Sequence, residues 1–263
     1  MSARSVMPDG LSEFSLAGRH VVVTGAGRGI GQSIAYSAAA AGASVTLIAR
    51  DAAQLAETAG VIADAGGTAH VTAADLTDLD GIDALIDGIA ATNGPIDGIV
   101  HAAGTQVRRG AADITAADLR TVFTLNLEAP ILASAAVARQ QLADDRRGSH
   151  VFIGSLNSTL GLPRVAPYAA SKHGIVGAMR SMSTEWSPRG IRANVVAPGY
   201  FLTAMTEGLL DNPDDHRRIL GRIPMGRLGE TAEVGPVVVF ALSDAARYVT
   251  GQVLNVDGGW LAS

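Results

Sequence analysis

The chain has 263 residues and no cysteine, which excludes disulfide bonds, thiolate nucleophiles and thiolate metal sites. Aromatic residues make up only 4% of a sequence that is 48% hydrophobic, so alanine, valine, isoleucine and leucine must fill most of the core. Lysine is almost absent too, since 20 residues are basic and all but Lys172 are arginine. Codon usage can explain abundant arginine, but a lone lysine indicates a position that needs a compact, titratable ammonium.

The sequence also lacks an excess of basic charge and a long apolar run. Its formal net charge is −5, whereas a nucleic-acid surface needs clustered basic residues. Residues 1–18 lack the apolar core of a signal peptide. The longest uncharged stretch, 29–49, is interrupted by Gly42 and is typical of a helix followed by a strand, not of a membrane span. We therefore expect a cytoplasmic protein that binds neither nucleic acid nor membranes.

Short β-rich runs alternate with alanine-rich helical stretches along almost the whole chain. Strands are predicted at 20–24, 44–49, 68–73, 98–102, 149–154, 192–197 and 253–256. Helices are predicted near 30–41, 52–65, 79–92, 115–142, 166–187 and 231–242. Capping-box spacing marks two helix starts, Thr77 with Asp80 and Thr115 with Asp118. The alternation predicts an α/β fold, a doubly wound parallel sheet of about seven strands flanked by helices.

Two segments fall outside this alternation. Residues 1–16 are expected to form a flexible tail, which leaves 17–263 as a single domain. The stretch 199–228 follows the sixth strand and contains glycine, proline and charges of both signs. A long insertion at the carboxyl edge of a sheet is typical of a substrate lid.

The first strand runs into a glycine-rich turn, residues 24–31 (Thr-Gly-Ala-Gly-Arg-Gly-Ile-Gly), and an apolar helix follows at once. Glycines allow a tight turn and a close approach of the backbone to a pyrophosphate, while the amides of the helix N-terminus face the phosphates. Such a cluster alone can be a plain turn. Its position in a βαβ unit favours a dinucleotide site and hence a Rossmann fold.

The end of the second strand bears on which dinucleotide binds. A cofactor without a 2′-phosphate usually meets Asp or Glu there, whereas this strand ends in Ala49 and Arg50. Arg28 adds a second guanidinium, and two guanidiniums without an intervening acid favour the 2′-phosphate of NADP(H). NAD remains the alternative, because Asp51 follows directly and can turn toward the ribose.

Tyr168 and Lys172 are four residues apart at the start of a predicted helix, so their side chains share one face. A neighbouring ammonium favours the phenolate and lowers a phenol pKa that is otherwise near ~10. Ser155 follows the fifth strand, at the edge where open α/β sheets bind ligands. Its hydroxyl can hold a substrate oxygen that Tyr168 protonates or deprotonates.

Further motifs accompany these residues. They are Asn126, Pro198-Gly199 with Thr203, and Asp257-Gly258-Gly259. In combination with the glycine turn and with Ser155, Tyr168 and Lys172, the chain resembles the short-chain dehydrogenase/reductases from about residue 20 to residue 261. The resemblance implies an oxidoreductase that acts on CH–OH groups with NAD(P), and a homotetramer.

The resemblance also implies a role for each catalytic residue. Tyr168 is expected to be the general acid/base and Ser155 to orient and polarise the carbonyl or alcohol. Lys172 is expected to bind the nicotinamide ribose and to lower the pKa of Tyr168. Asn126 is expected to hold a water in the proton relay.

The turn, the second strand and the resemblance together imply a larger set of cofactor-binding residues. These are Gly25, Arg28, Gly29, Ile30, Gly31, Arg50, Asp75, Ala103, Gly104, Tyr168, Lys172, Pro198, Gly199 and Thr203. The chain departs from the family at His101 and Ala102, where two asparagines are usual. The missing amide at Ala102 puts one backbone-stabilising contact in doubt, and His101, at the end of a buried strand, is interpreted as structural.

Within the family, the chain resembles the sugar-acid dehydrogenases, namely gluconate 5-dehydrogenase and the 2-deoxygluconate or 2-dehydro-3-deoxygluconate dehydrogenases. Segments 104–109, 198–206, 222–227 and 256–261 carry this resemblance. Candidate substrate-binding residues are Arg108, Arg109, Arg164 and Tyr200. A guanidinium fork pairs well with a sugar carboxylate, although each arginine can equally be a solvated loop residue and Tyr200 a core residue of the lid.

The leading hypothesis is thus the interconversion of a secondary alcohol and a ketone on a small sugar acid. A reductase of 3-oxoacyl or other apolar ketones is the alternative within the family, and it needs no loop arginines. A non-catalytic nucleotide-binding regulator is the alternative outside enzymes, but it has no evident need for the four catalytic residues. A serine hydrolase is excluded because Ser155 lacks the Gly-x-Ser-x-Gly elbow, and no metal-binding motif occurs.

Overall fold

The computed structural model of the protein describes residues 11–203 and 212–263. Seven parallel strands form one sheet, and they are β1 (His20–Thr24), β2 (Ser44–Ala49), β3 (Thr68–Ala73), β4 (Gly98–His101), β5 (Gly148–Ile153), β6 (Ile191–Pro198) and β7 (Val253–Val256). Their order across the sheet is β3-β2-β1-β4-β5-β6-β7. The predicted strands agree with these bounds to within one residue at either end. The predicted fold class is confirmed.

Helices of the described residues cover both faces of the sheet. They are α1 (Gly29–Ala40), α2 (Ala52–Asp64), α3 (Ile82–Asn93), α4 (Ala116–Phe123), α5 (Ala129–Ala143), α6 (Ala166–Trp186), α7 (Pro213–Leu220) and α8 (Gly235–Leu242). β1 shows how the faces divide: Val21 and Val23 pack with α1, α2 and α8, whereas Val22 packs with α3 and α5. All five residues of β1 are buried, as expected for a strand covered on both sides.

The strand order fixes where a ligand can bind. β1 pairs with β2 on one side and with β4 on the other, so the chain changes direction across the sheet at the β1–β4 pair. In open α/β sheets the crevice at such a switch point, beyond the carboxyl ends of the strands, is the ligand site.

Two helix predictions need correction, and one helix was not predicted. The helix predicted at 115–142 is interrupted by a π-helical turn, Thr124–Glu128, between α4 and α5. The capping box predicted for Thr77 with Asp80 is wrong, because α3 begins at Ile82 and the Thr77 hydroxyl donates to Asp75 at 2.8 Å. No helix was predicted over α7, which lies inside the predicted lid. The box of Thr115 with Asp118 is present as predicted.

The tail predicted at 1–16 also differs from the structure. Residues 1–10 lie outside the described part of the chain, but residues 11–16 pack on the fold. Leu16 is completely buried, and Phe14 lies 6.2 Å from Phe240 between ring centroids. Glu13 forms an ion pair with Arg247 at 2.7 Å. Glu13, Phe14 and Leu16 therefore attach this part of the chain to the fold, and the flexible tail stays a prediction for the remainder of 1–16.

The helical stretch 116–143 is long and apolar enough to cross a membrane. Half of its most apolar 18-residue window is buried inside the protein, and its α5 part packs against α3 and contributes Ala133 and Val137 to the core. It is thereby a core helix of the fold. The stretch 29–49 forms α1 and β2, as predicted.

Candidate active site

Two cavities lie side by side at the carboxyl ends of the strands. The larger has a volume of about 440 Å³ and the smaller about 320 Å³. They share four lining residues, Gly25, Arg28, Ala103 and Gly104. All the predicted cofactor-binding residues line one cavity or both, so the structure brings this set together. The cavities together form a continuous site of the size that cofactors occupy.

The glycine turn has no room for a side chain at two of its positions, Gly25 and Gly31. Gly25 has φ +68°, and a Cβ there would lie 2.7 Å from the amide nitrogen of Ala103. A Cβ on Gly31 would overlap the carbonyl oxygen of Gly25. The turn therefore brings bare backbone and the N-terminus of α1 to the cavity wall, which is what binding of a pyrophosphate requires.

The departure from the family pattern at Ala102 does not leave the backbone unsupported. The hydroxyl oxygen of Thr24 accepts hydrogen bonds from the amides of Ala102 and Ala103 at 3.1 and 3.2 Å. His101 is buried at the end of β4, its Nε2 lies 2.7 Å from the hydroxyl of Ser134, and its ring stacks on Phe152. Burial holds the pKa of His101 well below its ordinary value. These contacts agree with a structural histidine.

The smaller cavity is lined by the end of β2 and the loop after β3. Arg28, Arg50 and Asp75 all contribute to its wall. Asp51 also borders it, but its carboxylate caps α2 and accepts from the amides of Ala53 and Gln54, at 3.0 and 3.1 Å for Oδ1. Over the described residues neither Arg28 nor Arg50 has an ion-pair partner.

Asp75 is held in place by its own loop. One carboxylate oxygen accepts from the amide and the hydroxyl of Thr77 at 3.0 and 2.8 Å. These two hydrogen bonds lower the pKa of Asp75, and the nearby Arg50 acts in the same direction.

Ser155, Tyr168 and Lys172 meet in the larger cavity. Ser155 lies two residues after the end of β5, and its side chain is hydrogen-bonded to Tyr168. Tyr168 and Lys172 lie in the first two turns of α6, with the Lys172 ammonium nitrogen 5.5 Å from the centre of the Tyr168 ring. That nitrogen donates to the carbonyl oxygen of Ile153 at 2.6 Å, which ties α6 to the end of β5. The hydroxyls of Ser155 and Tyr168 and the ammonium group of Lys172 thus border the same cavity.

Burial dominates the ionisation of these groups. It raises the pKa of Tyr168, while the hydrogen bond from Ser155 acts in the opposite direction. The net shift is upward, opposite to the lowering expected from Lys172. Burial also lowers the pKa of Lys172 to about 8. Both shifts have one cause, because a low-dielectric wall disfavours the charged form of either group.

Asn126 lies in the π-helical turn Thr124–Glu128, behind the cavity wall rather than in it. Its side-chain oxygen accepts from the amide of Thr105, and its nitrogen donates to the carbonyl of Thr105, both at 2.8 Å. The same nitrogen donates to the hydroxyl of Ser171, next to Lys172, at 3.2 Å. Asn126 therefore connects the loop after β4 to α6. π turns are frequent at functional sites.

The predicted substrate-binding residues divide into two groups. Arg108 and Tyr200 line the larger cavity, and Arg109 and Arg164 do not. Arg109 is bound to Asp118, with Nε 2.8 Å from one carboxylate oxygen and Nη2 3.2 Å from the other. The backbone of Arg164 is in the left-handed region, φ +66°, and its carbonyl accepts from the amide of Arg109 at 2.9 Å.

Three polar residues of the cavity wall were not predicted. They are Gln106, Asn157 and Arg218. Gln106 and Asn157 are each within two residues of a predicted site residue, and that closeness along the chain is a usable signal. Arg218 comes from α7 and is distant in sequence from every predicted site residue.

One family model, described as enoyl-(acyl carrier protein) reductase, matches residues 25–261. Individual relatives extend the match over nearly the whole chain. A 2-dehydro-3-deoxy-D-gluconate 5-dehydrogenase from Escherichia coli is 38% identical over 252 residues, which are 96% of this chain and 99% of that protein. A gluconate 5-dehydrogenase from Gluconobacter oxydans is 38% identical over 249 residues, which are 94% of this chain and 96% of that protein.

Solved structures show the same similarity at the level of the fold. A gluconate 5-dehydrogenase from Burkholderia cenocepacia, crystallised in complex with NADP and tartrate, is similar with a TM-score of 0.93. It is 34% identical, and the similarity covers 97% of this chain and 99% of that chain.

Proposed function

The chain belongs to the short-chain dehydrogenase/reductase family, an oxidoreductase family that acts on CH–OH groups with NAD(P), and on that premise we propose that it interconverts a secondary alcohol and a ketone on a sugar acid, such as gluconate or a deoxygluconate, with NADP(H). The larger cavity carries this proposal. Ser155, Tyr168 and Lys172 line it together with Arg108 and Arg218. Among the described residues no aspartate or glutamate lines it. A reacting hydroxyl pair in a cavity with cationic walls suits an anionic hydroxy substrate.

The residues present fit a dinucleotide. The wall that the glycine turn leaves bare would hold the pyrophosphate, and Arg28 with Arg50 would hold the 2′-phosphate in the smaller cavity. Asp51, the acid that could instead favour a free ribose hydroxyl, is used by the cap of α2. These observations, with the NADP complex of the relative from Burkholderia cenocepacia, support NADP(H) over NAD.

The chain's own residues supply binding and proton transfer. When bound, the nicotinamide exchanges a hydride with the substrate carbon. Ser155 holds the substrate oxygen by a hydrogen bond, and Tyr168 donates a proton to that oxygen in reduction or accepts it in oxidation. Because burial raises the pKa of Tyr168, its neutral form is ready to donate. Lys172 stabilises the phenolate left behind.

The remaining roles concern the surroundings of these groups. Lys172 would also bind the nicotinamide ribose, and Asn126 would hold a relay water, since it contacts Ser171 beside Lys172. The segment 199–228 would act as the substrate lid, which is supported by the cavity-lining side chains of Tyr200, Phe201 and Arg218. Residues 204–211 of this segment lie outside the described part of the chain.

We also propose that the protein is a cytoplasmic homotetramer. Leu119 and Leu132, on α4 and α5, are large apolar side chains that remain more than one-third exposed in the single chain, and exposed apolar residues of this kind are suited to subunit contacts. Light scattering at micromolar concentration tests the assembly, and a monomeric mass would contradict it.

Absorbance at the reduced-nicotinamide band tests the function. NADP and NAD are offered separately with aldonates, deoxyaldonates, neutral sugars and acyl-chain hydroxy esters. We expect turnover of an aldonate or deoxyaldonate with NADP, and a loss of at least about 100-fold in the Tyr168→Phe variant, because removal of a general acid/base typically costs that much. The variant should still bind NADPH.

Two results would contradict the proposal. Turnover confined to apolar hydroxy esters would keep the family chemistry and remove the sugar acid. A Tyr168→Phe variant with most of the original turnover would remove Tyr168 from the proton transfer.

A further inference from the structure

Arg108 and Arg218 are the two arginines that line only the larger cavity, since Arg28 lines both cavities and belongs to the glycine turn. They reach the cavity from different parts of the chain, Arg108 from the loop after β4 and Arg218 from α7. Tyr200 lies on the same wall. The cavity thus has a positively charged region that is separate from the proposed phosphate-binding residues.

The position of Arg218 is fixed by the packing of α7. The adjacent Ile219 is completely buried in an apolar cluster with Leu156 and Trp260. Leu156 directly follows the catalytic Ser155, so α7 packs on the segment that carries the reacting hydroxyl. Asn212 caps the helix by accepting from the amides of Asp214 and Asp215. Arg218 is therefore held near the active site by its own helix.

Three guanidiniums act on the ionisation of the Tyr200 hydroxyl. Burial raises the pKa of Tyr200, and Arg218, Arg108 and Arg222 oppose that rise, Arg218 most strongly. Arg222 is engaged elsewhere, because its guanidinium carbon lies 4.5 Å from the centre of the Trp260 ring. Arg218 and Arg108 are thus the two guanidiniums near Tyr200 that also line the cavity.

The ion pair of Arg218 can be exchanged for a ligand. Its Nη2 lies 2.8 Å from one oxygen of Asp215, and the two side chains are 57% and 36% exposed. A pair this exposed contributes little stability in water, so a carboxylate ligand can compete for the guanidinium. Arg109 differs, because two of its guanidinium nitrogens donate to the carboxylate of Asp118, which is mostly buried and also forms the capping box of α4.

We propose that Arg218 is a specificity-determining residue, which together with Arg108 binds the carboxylate of the substrate beside Tyr200. In the complex the substrate carboxylate takes the place of Asp215 on the Arg218 guanidinium. The inference rests on the proposed function for the nature of the substrate. Of the arginines predicted to bind the substrate, we retain Arg108, and Arg218 takes the role predicted for Arg109 and Arg164.

The neighbouring Arg217 provides a matched control. It lies on the same helix and forms the same kind of i,i+3 ion pair, 2.6 Å from Asp214, but it does not line the cavity. Arg217→Ala and Arg218→Ala therefore remove the same charge and the same type of surface pair. Only the second removes a charge from the cavity wall.

The affinity of the NADP⁺-loaded protein for D-gluconate, measured by titration calorimetry, tests the inference. We expect Arg218→Ala to raise the Kd for gluconate by about tenfold, as the loss of one charge-assisted hydrogen bond implies. Arg217→Ala should leave it within about twofold. Asp215→Asn should lower the Kd, because the amide no longer competes as an anion for Arg218. The Kd for D-glucitol, which has no carboxylate, should be the same in all three variants and the wild type.

The outcomes separate this inference from the proposed function. Equal losses in Arg217→Ala and Arg218→Ala, equal losses for gluconate and glucitol, or no gluconate binding by the wild type would overturn the role of Arg218. Gluconate binding that depends on Arg218, in a protein that oxidises no sugar acid, would sustain the carboxylate site and overturn the proposed reaction.

Discussion

The carboxylate of Asp51 shows how one residue's hydrogen bonds bear on cofactor choice. From sequence, Asp51 can turn toward the ribose and favour NAD. In the structure it accepts from two amides at the start of α2. Turning it toward a ligand would leave those amides without their cap, which costs about 1 kcal/mol. Arg50, the neighbouring residue, has no such internal partner among the described residues and remains available to an anion.

We therefore expect Arg50→Ala to weaken NADPH binding selectively. Loss of one charge-assisted contact to a phosphate amounts to roughly 1.5–3 kcal/mol, or about 10- to 100-fold in Kd. The Kd for NADH should change by less than about threefold. Fluorescence titration with both reduced cofactors measures this, with Arg120→Ala as the control, because Arg120 is exposed and lines neither cavity. Equal weakening of NADPH and NADH would contradict a 2′-phosphate role for Arg50.

Residues of the site were predictable from the sequence where a local motif marks them. The glycine turn, Ser155 and the Tyr168–Lys172 pair follow from spacing and from the strand ends, and they line the cavities as a set. The choice among arginines was not predictable. Arg109 is neutralised by a side chain nine residues away, and Arg218 reaches the wall only because Ile219 packs beside Leu156.

At the scale of helices and strands, the packing of α8 on α1 depends on glycine at position 235. A Cβ on Gly235, at the start of α8, would lie 2.6 Å from the Cβ of Ser37 and 3.2 Å from the carbonyl oxygen of Ser33. Ser33 also donates to Thr231, just before α8, at 2.8 Å. The two helices are therefore too close for any residue larger than glycine.

Gly235→Ala should lower the free energy of unfolding by about 1–3 kcal/mol, the usual cost of overpacking. Gly60→Ala is the control, because Gly60 is exposed in the interior of α2 and a Cβ there meets nothing within 4 Å. This second change should stabilise by about 0.5–1 kcal/mol through helix propensity. Urea unfolding of both variants measures the difference, and equal effects would contradict the close packing.

Helices and strands were predictable from the sequence where their apolar residues form a clear pattern. Several of the seven strands are short apolar runs, and the bounds of all seven agree closely with the structure. The π turn at Thr124–Glu128 has no such signature, since it is one extra residue within a continuous helical pattern. α7 buries only Ile219, and four of its eight residues are Asp or Arg, so no apolar periodicity reveals it.

At the scale of the whole molecule, the sheet encloses a histidine that resists protonation. The Nε2 of His150 on β5 lies 3.1 Å from the side-chain oxygen of Gln141, and the nitrogen of Gln141 donates to the carbonyl of Ile96. Nε2 must therefore carry the proton, and Nδ1 is buried without a partner. Burial lowers the pKa of His150 to about 3.

Between about pH 6.5 and pH 3 the unfolded chain binds a proton at His150 that the folded chain does not bind, so the free energy of unfolding falls as the pH falls. One such histidine contributes at most about 1.4 kcal/mol per pH unit. His150→Gln should make the decline between pH 6.5 and 4 less steep, and exposed His173→Gln is the control. Urea midpoints at each pH measure the slopes, and identical slopes in wild type and His150→Gln would contradict the assignment.

Because Lys172 is the only lysine of the chain, proteolytic cleavage after it can measure local unfolding around the active site. A lysine-specific endoprotease has one peptide bond to cut, between Lys172 and His173, inside helix α6. Cleavage there requires that several turns of the catalytic helix unwind. The rate at which the two fragments, 1–172 and 173–263, appear therefore reports the fraction of molecules in which α6 has opened. Ligands that hold the site closed slow the appearance of these fragments. The measurement needs no label on the protein.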